Sequence, residues 1–375
     1  MVKSFVIRRT LLPFSEADCH DVRVTGRALR TVLAAAATSK PGLCTVDVED
    51  CGAAYRFLMP LLALTPGQWL LTGTPRLLQR PMAPLASALQ GIGADIRRVE
   101  NGWEVHGKQL RAEALDIDAS LSSQMASALV LAAPLLGLHS LHLKSTDIPS
   151  LSYLRMTLAC MKEFPVAVKG VALPETPAGA MGDWSAALFW FAYACLHREN
   201  KYVLSPLSLE SLQPDSIIAV WFNELGLVIS SENSNIVIRA DAPSRAVRLS
   251  LDMRDNLDTV PVMAALAALL PADITFRNVG NLRYKESDRL QALVTQLSPF
   301  AGITLCDNVL HVVGKGRTAE TLPEFDTFHD HRLAMAFLLF GPDARLSDTE
   351  CLRKSYPGLL RDLFLVERGL APEAQ

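Results

Sequence analysis

A helical spacing of apolar residues, followed by a glycine and two short predicted strands, recurs along the chain. In one copy, Pro81–Gly93 places Met82, Leu85 and Leu89 at helical intervals and ends at Gly-Ile-Gly. The segments Ala94–Val99 and Trp103–Gly107, in which apolar and charged residues are mixed, then flank the turn Glu100–Gly102. Glycine commonly ends helices, and Asn-Gly favours a tight turn between strands. The pattern therefore predicts a helix, a strand, a tight turn and a second strand.

Further copies of this pattern lie at Ile217–Gly226 and Ser287–Gly302, and a weaker copy covers Leu154–Val168. The copies recur at roughly 60–75 residues, a spacing typical of repeated supersecondary units. Because no short fixed period survives, the repeats predict closed domains and not an open solenoid. Each unit combines a helix with a mixed sheet, so we expect an α/β fold with helices packed inward and sheets outside.

Composition and length fit a protein with a large core. The chain has 375 residues, of which 50% are hydrophobic and 20% charged, and its formal net charge is −3. This length predicts two domains, and the composition excludes a disordered chain and shows no basic excess for binding nucleic acid. The apolar segments Ala126–Leu138 and Ala186–Leu196 are shorter than the about 20 residues that span a bilayer. They predict core helices.

The cysteines and the N-terminus predict a cytoplasmic protein. The 7 cysteines are scattered without a C-x-x-C pair, which favours buried thiols of a reducing compartment over a disulfide or zinc framework. The segment Met1–Arg9 has too short an apolar run for a signal peptide.

The segment Asn281–Leu290 concentrates charge between two apolar stretches. Lys285, Glu286 and Arg289 place two cations and one carboxylate within about one helical turn. That grouping suits an anionic ligand that also needs a proton moved. The alternative is a solvated helix start with Arg289 pointing outward.

Other polar positions stand at predicted helix starts. Ser122, Ser123 and Gln124 precede an apolar helix, where free N–H groups attract an anion, although one serine would serve as an ordinary cap. Arg80 stands before Pro81, which can begin a helix; a phosphate or carboxylate could bind there, and the alternative is a surface arginine.

Two stretches nearer the C-terminus are less informative alone. His329 and His331 open another predicted helix, but their i, i+2 spacing predicts no metal site. Lys354 by itself has the sequence context of a solvated lysine.

Together, these segments resemble the 5-enolpyruvylshikimate-3-phosphate synthase family. Asn281–Leu290 is similar to the family's N-W-R-V-K-E-T-D-R-L, and Asp118–Pro134 to its S-S-Q-F-x-S-A-L-L-M-A-A-P. Leu71–Leu85 is similar to L-T-G-x-x-R-L-x-x-R-P-x-x-P-L. Further similar segments are Gly182–Ser185, Asp252–Leu266, Asp330–Met335 and Cys351–Leu359. The motifs occur in the family's order from about residue 51 to about residue 360.

The resemblance implies a two-domain, inside-out, barrel-like α/β fold built of repeated helix and mixed-sheet units. Residues 15–181 would form the first domain, the half that binds shikimate phosphate. Residues 1–14 and 182–375 would form the second, the phosphoenolpyruvate and acid/base half. The two domains would face each other across a cleft, with the chain crossing near residues 12–20 and 180–183. We expect a monomer.

The resemblance also implies the reaction. Family members transfer the enolpyruvyl group of phosphoenolpyruvate to the 5-hydroxyl of shikimate 3-phosphate, release phosphate, and use no metal or organic cofactor. This step belongs to the shikimate pathway of aromatic amino-acid biosynthesis. Both substrates are dense in negative charge, so the site must supply several cations and N–H donors. A nearly neutral chain must concentrate its cations locally to do so.

Residue roles follow position by position from the resemblance. Shikimate 3-phosphate would contact Ser122, Ser123, Gln124, Ser150, Tyr153, Asn281 and Lys285, and Arg27 also matches a substrate-binding position. Phosphoenolpyruvate would contact Arg80, Arg289, Arg332 and Lys354. Arginine suits this role because its planar guanidinium binds carboxylate and phosphate with two hydrogen bonds. For the proton transfers, Asp258 would be the base and Glu286 the acid, with Lys285 or His331 in support.

The N-terminal part departs from the family. The family's P-G-S-K-S-x-S-N-R-A-L aligns with Asp21–Leu29, so that Arg27 matches but Val22 and Arg23 stand at the lysine and serine positions. The family's Gly-rich turn, G-N-A-G-T-x-x-R, is shortened here to Gly52–Arg56. Roughly 40 expected residues, about two thirds of one repeat unit, are largely absent, which predicts a truncated unit in the first domain.

Two functions remain open. The first is an active synthase in which Arg23 and Arg56 replace the lost contacts. The second is a non-catalytic or repurposed homologue that binds shikimate 3-phosphate without a complete phosphoenolpyruvate site. A related UDP-N-acetylglucosamine enolpyruvyl transferase is disfavoured by the R-Y-K-E-S-D-R and S-S-Q segments. The surviving acid/base and arginine residues favour the active enzyme.

Overall fold

The chain forms two compact units, Met1–Glu175 and Thr176–Gln375. The structure is a computed structural model that describes residues 1–8, 11–15, 17–38, 42–172, 182–233, 235–240, 246–316 and 324–370. Each unit has its own hydrophobic core. The expected division of a 375-residue chain into two domains is therefore matched by two separately packed cores.

The first unit combines two sheets with helices. Its helices are α1 (Val2–Arg8), α2 (His20–Thr38), α3 (Gly52–Leu64), α4 (Pro75–Leu78), α5 (Ala83–Gly91), α6 (Gln124–Leu136) and α7 (Leu151–Cys160). Its strands are β1 (Leu43–Asp47), β2 (Gly67–Thr72), β3 (Asp95–Val99), β4 (Gly102–Gly107), β5 (Ala114–Ile117), β6 (Ser140–Leu143) and β7 (Ala167–Val168). They pair in the orders β1-β2-β4-β3 and β5-β6-β7.

The second unit has the same kind of architecture. Its helices are α8 (Trp184–Leu196), α9 (Ile218–Glu224), α10 (Val260–Leu269), α11 (Arg289–Leu297), α12 (His331–Leu338) and α13 (Leu359–Glu367). Its strands are β8 (Tyr202–Leu204), β9 (Leu227–Glu232), β10 (Asn235–Ala240), β11 (Val247–Asp252), β12 (Ala272–Arg277), β13 (Ala301–Cys306), β14 (Val309–Gly314), β15 (Glu324–Phe325) and β16 (Arg345–Leu346). Short 3₁₀ turns cover Pro214–Ile217, Leu257–Thr259, Gly280–Tyr284 and Glu350–Lys354. The sheets are β8-β10-β9, β11-β12-β14-β13 and β15-β16.

The predicted repeat is confirmed for the copies at Pro81–Gly93 and Ser287–Gly302 by two sheets of identical topology. In both β1-β2-β4-β3 and β11-β12-β14-β13, the first two strands are parallel and the last two form an antiparallel hairpin. In the first sheet the hairpin turns at Gly102, whose φ is +147° and where a side chain would collide with the carbonyl oxygen of Leu71. Glycine is required there by both conformation and space. The mixed α/β fold class is likewise confirmed.

Helices occupy the centre of each unit. Every residue of α10 is buried, and α10 packs against α8 and α12. In the first unit, α3 packs against α6. A helix that is apolar on all sides belongs in a core, and the apolar segments predicted as core helices do lie in α6 and α8. None of the helices formed by the described residues is both long and apolar enough to cross a bilayer.

The N-terminal helix belongs to the first unit in the structure. Phe5 and Val6 of α1 are buried in that unit's core, and α1 packs on α6. The resemblance to the family instead implies that residues 1–14 belong to the second domain. That domain boundary stays a prediction, and so does the truncated repeat unit. Residues 173–181, which include part of the expected crossing near 180–183, lie outside the described residues.

Candidate active site

The charged segment of the second unit begins α11 with a buried arginine. Asp288 caps this helix, because its Oδ1 accepts a hydrogen bond from the backbone N–H of Gln291 at 3.1 Å. An aspartate at this position stabilises a helix start. Arg289, the first residue of the helix, is only 1% exposed. The alternative of a solvated helix start with Arg289 outward is therefore wrong.

Three carboxylates surround the guanidinium of Arg289. Asp330 accepts from Nε at 2.7 Å and from Nη2 at 3.0 Å. Asp258 accepts from Nη1 at 2.6 Å, and Glu286 accepts from Nη2 at 2.9 Å. Burial alone would lower the pKa of Arg289, but the charges of Asp330, Glu286 and Asp258 outweigh it and hold that pKa above its ordinary value. The arginine thus joins segments that are far apart in the sequence.

Asp258 lies between two cations at the accessible side of this cluster. It stands on the 3₁₀ turn before α10, and its Oδ1 is 3.0 Å from Nζ of Lys285 as well as close to Arg289. Burial opposes its ionisation, but Lys285, Arg289 and Arg332 outweigh burial and hold the pKa of Asp258 well below its usual range. Its side chain is 32% exposed. Asp258 is therefore an ionised carboxylate that solvent can reach.

Asp330 fixes the start of α12. Its Oδ1 accepts from the backbone N–H of Arg332 at 2.9 Å, and its Oδ2 accepts from Oγ of Ser287 at 2.9 Å. The side chain is completely buried. Burial would raise the pKa of Asp330, but the charge and hydrogen bonds of Arg289 lower it below its ordinary value. Asp330 was missing from the sequence-based set, although an aspartate just before a predicted helix is a capping signal.

His331 is buried and neutral. Burial, followed by the charge of Arg332, lowers its pKa to about 3. Among the residues that the structure describes, no group of three or more histidine, cysteine or acidic side chains is placed to hold a metal ion. His331 can therefore take part in hydrogen bonding at neutral pH but carries no positive charge.

The remaining predicted residues of the second unit lie on neighbouring elements. Arg332 is 9% exposed, and its Nη1 donates to the backbone oxygen of Ser185 at 3.1 Å. Lys354 ends a 3₁₀ turn that packs on α12 and is 7% exposed, so its interpretation as a solvated lysine is wrong. Asn281 is half-buried on the 3₁₀ turn that directly precedes Lys285.

In the first unit, Arg56 joins three of the predicted segments. Its guanidinium is 2% exposed and donates to Oε1 of Gln124 at 2.9 Å and to the backbone oxygens of Gly52 and Pro81 at 3.2 and 3.3 Å. Arg80 lies directly beside Gly52, where an added side chain would collide with its guanidinium. Gly52, Arg56, Arg80 and Gln124 therefore form one compact group.

The two serines before α6 differ in their contacts with the start of the helix. Ser123 is buried and its side chain makes no capping hydrogen bond. The Oγ of Ser122 accepts from the backbone N–H of Gln124 at 3.3 Å. The interpretation of Ser123 as an ordinary side-chain cap is therefore wrong.

Ser150 and Tyr153 lie at the start of α7, and Arg27 lies on α2. Ser150 has a φ of +58°, a left-handed conformation that is uncommon for residues other than glycine and is enriched at functional sites. Tyr153 donates its backbone N–H to the oxygen of Ser150 at 3.1 Å. Arg27 is exposed and pairs with Glu49, with Nη2 and Oε1 2.5 Å apart. Direct contacts thus link Ser150 with Tyr153, whereas Arg27 is engaged by an acidic neighbour.

Known proteins match this chain over most of its length. A family model described as EPSP synthase (3-phosphoshikimate 1-carboxyvinyltransferase) matches residues 18–363. A 3-phosphoshikimate 1-carboxyvinyltransferase of Bacteroides fragilis is 31% identical over 94% of this chain and 88% of its own length. The protein of the same name from Methanospirillum hungatei is 28% identical over 93% and 88%, respectively.

A solved structure of EPSP synthase from Acinetobacter baumannii is similar in fold. It superposes with a TM-score of 0.66 at 21% identity, covering 96% of this chain and 90% of that one. The fold, the family model and the relatives agree over nearly the whole chain. This chain belongs to the EPSP synthase family.

Proposed function

We propose that this protein transfers the enolpyruvyl group of phosphoenolpyruvate to the 5-hydroxyl of shikimate 3-phosphate and releases inorganic phosphate, a step of aromatic amino-acid biosynthesis. The observation that carries the proposal is the cluster of Asp258, Lys285, Glu286 and Arg289, which lies within direct contact distance. It combines a solvent-accessible ionised carboxylate, a second carboxylate and two cations, which is what an anionic substrate undergoing proton transfer needs. Membership of the EPSP synthase family supports the same reaction.

Arg332 supports the binding of phosphoenolpyruvate. Its guanidinium is nine-tenths buried, its Nη1 donates to the neutral backbone oxygen of Ser185, and its Nε is buried without a hydrogen-bond partner among the described residues. A buried N–H donor is costly when it is left unsatisfied, and a carboxylate or phosphate oxygen would satisfy it. We propose that phosphoenolpyruvate is bound by Arg332 together with Arg80, Arg289 and Lys354.

For shikimate 3-phosphate we propose the polar residues at the starts of α6 and α7, together with residues of the charged segment. The hydroxyl of Ser123, which makes no capping hydrogen bond, and the left-handed backbone at Ser150 support this placement, since both features are atypical of ordinary helix caps. The full set is Arg27, Ser122, Ser123, Gln124, Ser150, Tyr153, Asn281 and Lys285.

The reaction adds a hydroxyl across the double bond of phosphoenolpyruvate and then eliminates phosphate. The 5-oxygen bonds to C2, its proton passes to Asp258, and C3 takes a proton from the carboxyl group of Glu286, which has to be protonated and released from Arg289 for this step. Phosphate then leaves C2 while a proton of C3 returns to the carboxylate of Glu286, which restores the double bond. Because its pKa is depressed by Lys285 and Arg289, Asp258 is a weak base while both cations contact it. An anionic substrate that draws Lys285 away would raise this pKa and increase the basicity.

The candidates for the acid that protonates C3 of phosphoenolpyruvate are Glu286 and Lys285. With a pKa of about 3, His331 carries a single ring proton at neutral pH and would have to form an imidazolate to give it up. We therefore assign His331 a supporting hydrogen bond and not the proton transfer. The roles of Asp258, Glu286 and Lys285 are chemical proposals that need no metal or organic cofactor.

We further propose that the protein acts as a monomer in the cytoplasm, on small-molecule substrates and without nucleic acid or membrane partners. The free thiols of all 7 cysteines support a reducing compartment.

The second candidate function is a homologue that binds shikimate 3-phosphate without catalysis. Two observations favour it: Val22 of α2 stands where the family has a lysine, and Arg27 is engaged by Glu49. The buried cations Arg332 and Lys354 favour the enzyme, since positive charge in a site of low exposure suits an anionic substrate such as phosphoenolpyruvate.

The deciding experiment measures phosphate release by the purified protein with both substrates, alongside calorimetric binding of shikimate 3-phosphate. We expect phosphate release that needs both substrates and is lost in Asp258→Asn. Arg353→Ala serves as the control because Arg353 is an exposed side chain whose ion pair with the exposed Glu350, at 3.0 Å, lies on the surface of the same 3₁₀ turn. Binding of shikimate 3-phosphate without phosphate release would replace the enzyme by the second candidate, and absence of both would reject the two together.

A further inference from the structure

A fully buried carboxylate lies behind the candidate active site of the second unit. Asp215, on the 3₁₀ turn Pro214–Ile217, is 0% exposed. Its Oδ2 forms a short hydrogen bond with Oγ of Ser185, and its Oδ1 accepts from Nδ2 of Asn256 at 3.0 Å. Buried carboxylates are retained where their oxygens are satisfied, and here each oxygen serves a different segment of the chain.

The first of these segments leads to Arg332. Ser185 lies in the first turn of α8, where its backbone N–H is held by Oδ1 of Asp183 at 2.9 Å. The backbone oxygen of the same serine accepts the hydrogen bond from Nη1 of Arg332 at 3.1 Å. The side chain of Ser185 is thus fixed by Asp215, and its carbonyl fixes the guanidinium of Arg332.

The second segment leads to Asp258. Asn256 is 6% exposed and precedes Asp258 by two residues. Its backbone oxygen accepts from both N and Oγ1 of Thr259, at 3.0 and 2.7 Å. These bonds close the 3₁₀ turn that carries Asp258. The side-chain amide of Asn256 therefore anchors this turn to Asp215.

We propose that Asp215 is a positioning residue for the enolpyruvyl transfer. It sets the separation between Arg332, which would hold the anionic substrate, and Asp258, which would accept the proton. An error of about 1 Å between reacting groups can cost about a hundredfold in rate, so a single buried residue that fixes both segments has direct leverage on turnover. The kinetic part of this inference rests on the proposed function, whereas the positioning itself is a property of the folded chain.

A matched pair of variants separates the hydrogen bonds of Asp215 from its charge. Asparagine can accept from Asn256 with its oxygen and donate to Ser185 with its nitrogen, so Asp215→Asn keeps both contacts. Asp215→Ala removes both and leaves two buried polar groups unsatisfied. We expect kcat to fall about tenfold or more in Asp215→Ala and to recover to within about threefold of wild type in Asp215→Asn.

The affinity for shikimate 3-phosphate gives a second criterion. Most of the residues proposed for shikimate 3-phosphate lie in the first unit, and only Lys285 contacts the turn of Asp258 directly. We therefore expect the Kd for shikimate 3-phosphate to change less than kcat in Asp215→Ala, by under about threefold. A residue that only stabilises the fold would change the amount of folded protein and leave kcat per folded molecule intact. Unchanged kcat per folded molecule in Asp215→Ala would therefore overturn the proposal.

Hydrogen exchange tests the positioning without any need for activity. The backbone N–H groups of Asn256 and Thr259 are bonded to the oxygens of Met253 and Asn256, and we expect them to exchange about tenfold faster in Asp215→Ala and at the wild-type rate in Asp215→Asn. The hairpin β13–β14 provides an internal reference. Unchanged exchange at Asn256 and Thr259 would overturn the inference, whether or not the wild-type protein releases phosphate.

Asn256→Ala provides the second variant should Asp215→Ala fail to fold. It removes one contact of Asp215 and keeps the bond to Ser185. We expect the same faster exchange at Thr259 and a kcat lowered about fivefold or more, and unchanged values of both would overturn the proposal. If the variants show the expected changes in exchange but the wild-type protein releases no phosphate, the proposed function is rejected and the positioning role of Asp215 is retained.

Discussion

The guanidinium of Arg289 donates two parallel hydrogen bonds to Asp330, from Nε to Oδ2 at 2.7 Å and from Nη2 to Oδ1 at 3.0 Å. Both side chains are buried, at 1% and 0% exposure. The planar edge that best suits a substrate carboxylate is therefore taken by a carboxylate of the protein. We infer that any contact of Arg289 with phosphoenolpyruvate uses Nη1, the nitrogen that now donates to Asp258.

Removing the charge of Arg289 should destabilise the protein strongly. Arg289→Met keeps most of the side-chain volume but leaves Asp330 buried without its cation, and breaking a buried ion pair from one side costs about 3–5 kcal/mol. Urea titration should show this loss in the free energy of unfolding. Arg353→Met is the control, because its ion pair with Glu350 joins two exposed side chains and is worth under about 0.5 kcal/mol. Equal losses in the two variants would contradict the structural role of Arg289.

The predictable parts of the fold are those whose signals are local. The turn Glu100–Gly102 was predicted because Asn-Gly and the flanking apolar residues are adjacent in sequence, and the hairpin β3–β4 forms there. The start of α11 was predictable for the same reason, since Asp288 caps it from one residue away. Sequence patterns describe such elements because their causes lie within a few residues.

The contacts of the candidate site depend on packing between distant segments. Arg289 and Asp330 are 41 residues apart, and Ser185 and Asp215 are 30 residues apart, so no spacing rule joins them. Arg289 carried a signal of charge but none of burial, because its neighbours in sequence are polar. Only the placement of α11 and α12 against α10 decides that this arginine points into the core.

The neutral state of His331 should make stability depend on pH between about 6 and 4. The pKa of His331 is lowered from 6.5 in the unfolded chain to about 3 in the folded protein. Below pH 6.5 the unfolded chain therefore binds a proton that the folded protein does not, and stability falls as the pH falls, by about 1.4 kcal/mol per unit. His331→Gln lacks this titration. Its free energy of unfolding should change with a slope smaller by about that amount.

Unfolding by urea at several pH values measures this difference. The depressed pKa values of Asp258 and Asp330 also reduce stability as the pH falls toward and below about 3.8, the value in the unfolded chain. This loss is common to wild type and His331→Gln, so the difference between the two curves reports His331. Between pH 7 and 8 wild type and His331→Gln should have parallel curves. Parallel curves between pH 6 and 4 as well would show that His331 is protonated in the folded state.

Gly52 should control the position of Arg80. An added Cβ would collide with Nη1 of Arg80 and lie 3.3 Å from Nη1 of Arg56. The end of the Arg80 side chain can move away at little cost, and alanine suits a helix, so Gly52→Ala should fold normally. We expect the KM for phosphoenolpyruvate to rise about tenfold, equivalent to one displaced charged hydrogen bond. The Kd for shikimate 3-phosphate should change less than about threefold.

Gly91→Ala is the matched control for Gly52→Ala. It lies at the last residue of α5, and an added Cβ there meets no described atom within 4 Å. Steady-state kinetics should give wild-type constants for Gly91→Ala. A KM for phosphoenolpyruvate that is unchanged in Gly52→Ala would indicate that Arg80 does not hold this substrate.

Lys285 links binding to the ionisation of Asp258, and its removal should alter both. Lys285→Ala deletes a cation proposed to contact shikimate 3-phosphate, and a charged hydrogen bond is worth about 1.5–3 kcal/mol, so calorimetry should show binding weakened about 10- to 100-fold or abolished. After burial, Lys285 is the largest influence on Asp258, and it lowers the pKa. Its loss raises the pKa of Asp258. As the pH falls, the base is then protonated at a higher pH than in wild type. The acid limb of the kcat/KM profile should therefore move to higher pH.

Two comparisons separate these effects. Lys201→Ala removes an exposed lysine of the same unit and should leave both the affinity and the pH profile unchanged, which excludes a general effect of net charge. Lys285→Arg keeps the positive charge beside Asp258 but alters the donor geometry, so it should weaken binding while leaving the acid limb near its wild-type position. An acid limb that stays fixed in Lys285→Ala would remove Asp258 from the role of base, and unchanged affinity in that variant would remove Lys285 from the shikimate 3-phosphate site.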